Sequence, residues 1–118
     1  MPIDRSAARK APRPARRGPR ERLSEALLAL AKGKARIASH SEKSWASITF
    51  AGTRHRVELV FEGEEAVEAG ECFIAFLPDH EFAIPGQLVA DAAVTEVDHI
   101  LAPPGLTVKC ELLLLEES

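Results

Sequence analysis

The chain has 118 residues, of which 46% are hydrophobic and 28% charged, with a formal net charge of −3. This is ordinary for a single soluble domain, and no stretch approaches the roughly 18 consecutive apolar residues that a membrane-spanning helix needs. No apolar segment follows the basic N-terminus, which argues against a secretory signal. We therefore expect a cytoplasmic protein with no membrane partner. The abundance of Ala, Arg, Gly and Pro is typical of a GC-rich bacterial genome.

The charge is divided unevenly along the chain. Residues 1–22 hold eight Lys and Arg against two acids, a net of +6, whereas residues 23–118 hold seven against sixteen, a net of −9. The basic stretch contains four prolines and few large apolar side chains, so it cannot bury enough surface to order itself. We predict a disordered basic tail over 1–19 and a single α+β domain over 20–118. Clustered arginines attract nucleic acid, but the acidic body repels it, so any such association is expected to be weak.

The first half of the domain predicts one helix and three strands. Leu23, Leu27 and Leu30 follow helical spacing, and Gly33 supplies an end, which predicts a helix over about 20–32. The stretch ARIASHSEKSWASITFAG (35–52) predicts two strands, interrupted by the polar SHSEKS. Residues 54–61 alternate between apolar and polar and predict a third strand. The segment 51–53 between the second and third strands predicts a tight hairpin.

The second half predicts a helix and a hairpin. Acidic residues cluster just before AVEAGECFIAFL, where they favour a helix N-terminus, and Pro78 ends the helix. In the run 105–117 the apolar residues alternate with Thr107, Lys109 and Glu111, as in half-buried strands. The alternating apolar residues are Leu106, Val108, Cys110, Leu112 and Leu114. The run 86–101 fits both helical and alternating spacing, and we favour a strand because the connection through 102–104 is short; a bulge then falls between Val94 and Val97. The predicted fold is a two-layer α+β domain, an antiparallel sheet of about five strands with two helices on one face, in the order α-β-β-β-α-β-β.

One face of this sheet is predicted to remain uncovered by helices. We expect the helices to cover the face that carries Ile48, Phe50, Val57, Leu59, Val108 and Leu112. The opposite face mixes charged and large apolar side chains, a combination that a solvated face usually avoids. The predicted binding residues on it are Trp45, Arg54, Arg56, Glu58, Val60, Leu113 and Leu115. The leading hypothesis is a non-enzymatic protein-interaction module that uses this face, with a homodimer or another protein as its partner.

The alternative hypothesis is a small-molecule binding protein or an enzyme of unspecified reaction. Trp45 would stack on the ligand, Arg54 or Arg56 would contact an anion, and His40 or His80 would transfer protons. The sequence contains no nucleophile elbow, no HExxH, no phosphate-binding loop and no dinucleotide fingerprint. Whether the protein is an enzyme therefore remains open, and we expect no cofactor.

No metal site is predicted from the histidines and cysteines. Asp79, His80 and Glu81 are consecutive, so their side chains diverge in an extended segment, and a polar loop is the better interpretation. The pair His40 and Glu42 is a weaker candidate still. His55 falls on the apolar face and is predicted to be a hydrogen-bonded core histidine. Cys72 and Cys110 lack the spacing of a zinc site and are predicted to be reduced, buried thiols.

Overall fold

The computed structural model describes residues 18–117 and confirms an α+β fold with one antiparallel sheet. The elements are α1 (Pro19–Leu30), β1 (Ala35–Ala46), β2 (Ala51–Glu62), α2 (Glu64–Phe76), β3 (Gln87–Ile100) and β4 (Gly105–Glu116), with a short 3-10 turn at Leu77–Asp79. The strands lie in the order β1-β2-β4-β3. Residues 1–17 of the predicted tail lie outside the described part of the chain, and its last residue, Pro19, already belongs to α1.

Within residues 18–117 the sheet has four strands, and the elements follow one another along the chain as α-β-β-α-β-β. The prediction of about five strands, three of them before the second helix, was therefore wrong. The polar SHSEKS segment does not interrupt a strand but forms the middle of β1, paired with β2 from Ser39 opposite Glu58 to Ser44 opposite Thr53. β1 is an edge strand. Its backbone can pair with β2 on one side while solvent satisfies the other, so a polar sequence is tolerated there.

The turn between β1 and β2 lies at residues 47–50, not at the predicted 51–53. The Ser47 N–H donates to the Phe50 carbonyl at 2.8 Å, and the Phe50 N–H donates to Ser47 Oγ at 3.1 Å. This turn carries Ile48 fully exposed, at 103% of its reference area, and Phe50 at 52%. The expectation that the helices cover these two side chains was therefore wrong. Ile48 and Phe50 alternate with polar residues as side chains of a strand do. Here, however, the Ser47 side chain closes a turn.

The run 86–101 forms β3, which confirms the strand over the helix. It pairs with β4 with register irregularities between Val89 and Asp91 and between Val94 and Glu96. The second of these falls where the bulge was predicted.

Both helices pack on the same face of the sheet and enclose the core. α1 begins after Gly18, whose N–H donates to Glu21 Oε1 at 3.0 Å, and it buries Leu23 and Leu27 one turn apart. α2 follows Gly63, whose φ of 100° favours glycine, and it contributes Phe73 to the core. The helix-facing side chains of the two central strands are buried: His55, Val57, Leu59, Phe61, Leu106, Val108, Cys110, Leu112 and Leu114. The core face predicted from the alternation of β2 and β4 is thus confirmed for those strands.

Gly52 lies where β2 approaches β4 closely. A Cβ atom at this position would stand 2.1 Å from the Leu114 carbonyl oxygen. We expect Gly52→Ala to lower the free energy of unfolding by about 1–3 kcal/mol, because backbone must shift to admit the methyl group. Urea denaturation of the variant measures this change.

Gly105→Ala is the matched control for that substitution. Gly105 opens β4, and the atoms nearest to a Cβ there are 3.8 Å away. The control should change stability by less than about 0.5 kcal/mol. Equal stability of the two variants would contradict the close approach of β2 and β4.

Candidate functional site

The open face of the sheet, opposite the helices, carries a group of neighbouring apolar side chains at one end. Strand register places Trp45 of β1 opposite Gly52, Gly52 opposite Leu115 of β4, and Leu115 opposite Leu88 of β3. Phe50, Leu88 and Leu115 line a common depression at this end of the sheet. We call Trp45, Phe50, Leu88 and Leu115 the apolar end. Phe50 and Leu88 expose 52% and 50% of their areas, whereas Trp45 is half-buried.

The middle of the open face carries ion pairs. Arg56 Nε donates to Glu111 Oε2 at 2.6 Å, and Arg54 Nη1 donates to Glu111 Oε1 at 3.3 Å. In the neighbouring row, Lys109 Nζ lies 3.7 Å from Glu96 Oε2. These charges cross-link β2, β4 and β3. Because these charges are paired within the chain, and Arg56 and Lys109 are exposed to solvent, this part of the face needs no cover.

The remaining predicted binding residues are less accessible than expected. Leu113 and Leu115 expose only 9% and 8% of their areas, so their own chain covers them. Glu58 is half-buried in the row with Ser39 and Lys109, and Val60 is half-buried farther from the apolar end. The accessible apolar surface therefore comes from residues that the sequence analysis placed elsewhere or left unnamed. Leu88 was ambiguous because its strand also fitted helical spacing.

The residues of the alternative small-molecule site do not converge. Arg56 and Glu58 line a depression in the middle of the open face, but Trp45 is absent from its lining. His40 lies on the other, helix-facing side of the sheet, since its partner in the register is the buried Val57. His80 lies in the segment after α2, with its ring 4.6 Å from that of Phe82. Trp45 and Arg54 thus share the open face, whereas His40 and His80, the predicted proton-transfer groups, lie away from it.

A cluster of His40, Glu42 and His55 lies between α1 and the sheet, and we call it the histidine cluster. His40 and Glu42 share the helix-facing side of β1, and Glu42 is opposite His55 of β2. His40 Nε2 is 2.9 Å from His55 Nδ1. One potential ligand atom from each of the three residues lies within 4.8 Å of the other two.

Helix α1 supplies two polar partners to this cluster. Arg20 Nη1 donates to Glu42 Oε2 at 2.5 Å, and Arg20 Nη2 donates to the His40 carbonyl at 2.9 Å. Ser24 Oγ is 3.4 Å from His40 Nδ1. Arg20 and Ser24 occupy adjacent turns of α1, so the helix that covers the core also orients the cluster.

The environment keeps both imidazoles neutral and the carboxylate charged. Burial, reinforced by the Arg20 guanidinium, lowers the pKa of His40 to about 4. Burial also lowers the pKa of His55, against the opposing effect of the Glu42 charge. The hydrogen bond from Arg20 lowers the pKa of Glu42. Near neutral pH the cluster thus presents two imidazoles with available lone pairs beside an ionised carboxylate.

The sequence analysis named His40 and Glu42 only as a weak candidate pair and did not join them to His55. His40 lies in a segment that was not predicted to be a strand, so its alternation with Glu42 was not placed against β2. His55 was predicted to be a hydrogen-bonded core histidine, and its 2% exposure and contact with His40 confirm that. The available signal was His-x-Glu at strand spacing, facing a histidine in the next strand.

The two cysteines are free thiols that differ in accessibility. Cys110 is buried, and its Sγ donates to the Val57 carbonyl at 3.6 Å. Burial raises the pKa of this thiol to about 12, so it is not a nucleophile at neutral pH. Cys72 is a free thiol that is only half-buried, less covered than predicted.

Comparison with known proteins identifies no family for this chain. Neither a protein-family model nor a curated protein matches the sequence. One solved structure, described as the virion of a native gene transfer agent particle, matches at a TM-score of 0.49 and 10% identity, over 78% of this chain and 84% of that one. This likeness is too distant to support any functional argument. Between residues 18 and 117, no helix is long and apolar enough to cross a membrane.

Proposed function

We propose that this chain is a cytoplasmic, non-enzymatic protein-interaction module whose partner is a second copy of itself, docked at the apolar end of the open sheet face. The observation that carries the proposal is the joint exposure of Phe50 and Leu88, at 52% and 50%, around one depression. Contiguous apolar side chains at the surface of a small domain mark interaction sites more often than single ones do. The fully exposed Ile48 lies in the adjoining turn and extends this surface.

The apolar end borders on a charged part of the open face. Next to it, Arg54 and Arg56 are held by Glu111, which favours solvent over a second protein layer. Docking therefore needs to cover only the end of the sheet. This arrangement, an apolar centre beside a charged surround, is typical of protein interfaces.

The charges beside the apolar end favour a second copy as the partner. Lys43 of β1 lies on one side of this face, whereas Asp91 of β3 lies on the other side, and Glu117 follows the end of β4 beside Leu88. A two-fold axis parallel to the strands would bring the basic side of one copy against the acidic side of the other. Such self-complementarity is what a symmetric dimer interface requires.

Size-exclusion chromatography with light scattering tests the proposal. The wild-type chain is expected to form a dimer at high micromolar concentration. Leu88→Glu should weaken the dimer by about tenfold or more, because burying a leucine contributes roughly 1.5–3 kcal/mol and the glutamate would lose hydration in the interface. Phe50→Glu should act in the same direction.

Leu101→Glu provides the control. Leu101 is 80% exposed in the turn between β3 and β4, at the opposite end of the sheet. The Leu101→Glu substitution adds the same charge at an exposed leucine, yet it should leave the dimer intact. A wild-type chain that stays monomeric at high micromolar concentration, or equal weakening by Leu101→Glu and Leu88→Glu, would refute docking at the apolar end.

A further inference from the structure

We propose that His40, Glu42 and His55 bind one divalent transition-metal ion of the Zn²⁺ class. This site is separate from the apolar end, because it lies on the helix-facing side of the sheet, under α1. The proposal rests on three observations: the position of the donor atoms, the orientation of His40, and the accessibility of Glu42.

The donor atoms are spaced as ligands of a single ion can be. Two imidazole nitrogens bound to zinc at about 2.0–2.1 Å stand roughly 2.9–3.4 Å apart, for angles between octahedral and tetrahedral values. The separation of His40 Nε2 from His55 Nδ1 is 2.9 Å. The Glu42 carboxylate completes a set within 4.8 Å, so a side-chain rotation is enough to bring its oxygen to the ion.

The orientation of His40 fits a ligand. Its Nδ1 faces Ser24 Oγ at 3.4 Å, so an N–H at Nδ1 can donate to the hydroxyl while Nε2 keeps its lone pair toward His55. Metal-binding histidines are commonly fixed in this way by a partner on the second ring nitrogen. In the metal-free protein the Nδ1–H of His55 then donates to His40. On metal binding His55 changes tautomer: Nδ1 loses its proton and Nε2 gains one, so that the ring stays neutral and the Nδ1 lone pair is free for the ion.

Glu42 gives the site its charge and its access to solvent. Its side chain is 38% exposed, whereas His55 is 2% exposed, so an ion can enter from the β1 edge. The bond to Arg20 uses Oε2, and the other carboxylate oxygen is the one we assign to the metal. Arg20 brings a positive charge close to the ion, which limits the affinity, so we expect a Kd in the micromolar range.

Two nitrogens and one carboxylate oxygen define the kind of ion. Imidazole favours Zn²⁺, Co²⁺ and Ni²⁺ over Mg²⁺ and Ca²⁺, which prefer sets made of oxygen alone. Three protein ligands leave a fourth tetrahedral position for water or an external ligand on the exposed side.

Titration of the full-length chain with zinc chloride at pH 7.5, measured by isothermal titration calorimetry, tests the site. We expect one equivalent to bind with a micromolar Kd and magnesium chloride to give no binding. A hundredfold excess of Zn²⁺ over Kd should raise the melting temperature by roughly 10 °C. A cobalt titration should add visible absorption bands from ligand-bound Co²⁺. If the wild-type chain does not bind one equivalent of Zn²⁺ with a Kd below 100 µM, the proposal is wrong.

Variants locate the ion. Glu42→Gln replaces an exposed group without changing its size and should weaken binding about tenfold, and His40→Gln should weaken it about a hundredfold or more. The double variant His80→Gln, His99→Gln removes two exposed imidazoles outside the cluster and should bind as the wild type does. Far-ultraviolet circular dichroism checks folding. If His40→Gln does not fold, Glu42→Gln alone decides, and unchanged affinity in that variant would place the ion elsewhere.

Discussion

Replacing Phe73 by alanine is expected to lower the free energy of unfolding by about 3–5 kcal/mol. Phe73 is fully buried on α2, and its ring lies 6.0 Å from that of Phe61 on β2. Truncation removes this contact and opens a cavity between the helix and the sheet. Since small domains have only about 5–15 kcal/mol of stability, the loss should be plain in a urea denaturation curve.

Phe76→Ala is the control for this prediction. Phe76 ends the same helix and is 59% exposed, so the same truncation there should change stability by less than about 0.5 kcal/mol. Comparable losses at both positions would mean that α2 does not pack through the face described here.

Acid should destabilise the metal-free protein well above the range in which carboxylates titrate. The pKa of His40 is about 4 in the folded chain against 6.5 for the free side chain, and the pKa of His55 is lowered in the same direction. Both imidazoles are favoured in their neutral form, so their stabilising effect is present above pH 6.5. As pH falls below 6.5, the unfolded chain takes up protons that the folded chain does not, and stability decreases until about pH 4.

The magnitude follows first from the burial of the two imidazoles and then from the charges that face them. Arg20 and Glu21 of α1 and Glu42 of β1 act on His40, with Arg20 opposing its protonation. The slope for one imidazole approaches about 1.4 kcal/mol per pH unit, and the total, allowing for the partial solvent exposure of His40, is about 1–3 kcal/mol. Below pH 4.5 the lowered pKa of Glu42 adds to the loss, because the unfolded carboxylate is protonated first.

Urea denaturation between pH 7.5 and pH 4.5, with a chelator present, measures this dependence. His40→Gln should give a shallower fall in stability between pH 6.5 and pH 4.5, since one of the two imidazoles of the histidine cluster is gone. His99→Gln removes an exposed imidazole and should retain the wild-type fall. An equally steep fall in His40→Gln would contradict the role of the histidine cluster.

Local pattern was sufficient for much of the fold. The alternation in the first part of β4 and the spacing of Leu23 and Leu27 predict their elements and their buried faces, because a side chain's direction follows from its own backbone. The same local logic failed at SHSEKS and at Ile48. SHSEKS forms a strand because it lies at the edge of the sheet, and Ile48 lies in a turn because the Ser47 side chain closes it. The spacing of hydrophobic residues indicates neither feature.

The sequence by itself determined the two helices, the alternating strands β2 and β4, and the face of those strands that enters the core. Only the tertiary structure decided which residues from separate strands meet. Register joins His40 and Glu42 to His55, and it sets Trp45, Leu115 and Leu88 in one row across the open face. Register depends on the turn at 47–50 and on bulges in β1 and β3, where a shift of one residue reverses every side chain. Such long-range pairing is the sum of many weak contacts across the sheet, and no local stretch of sequence contains it.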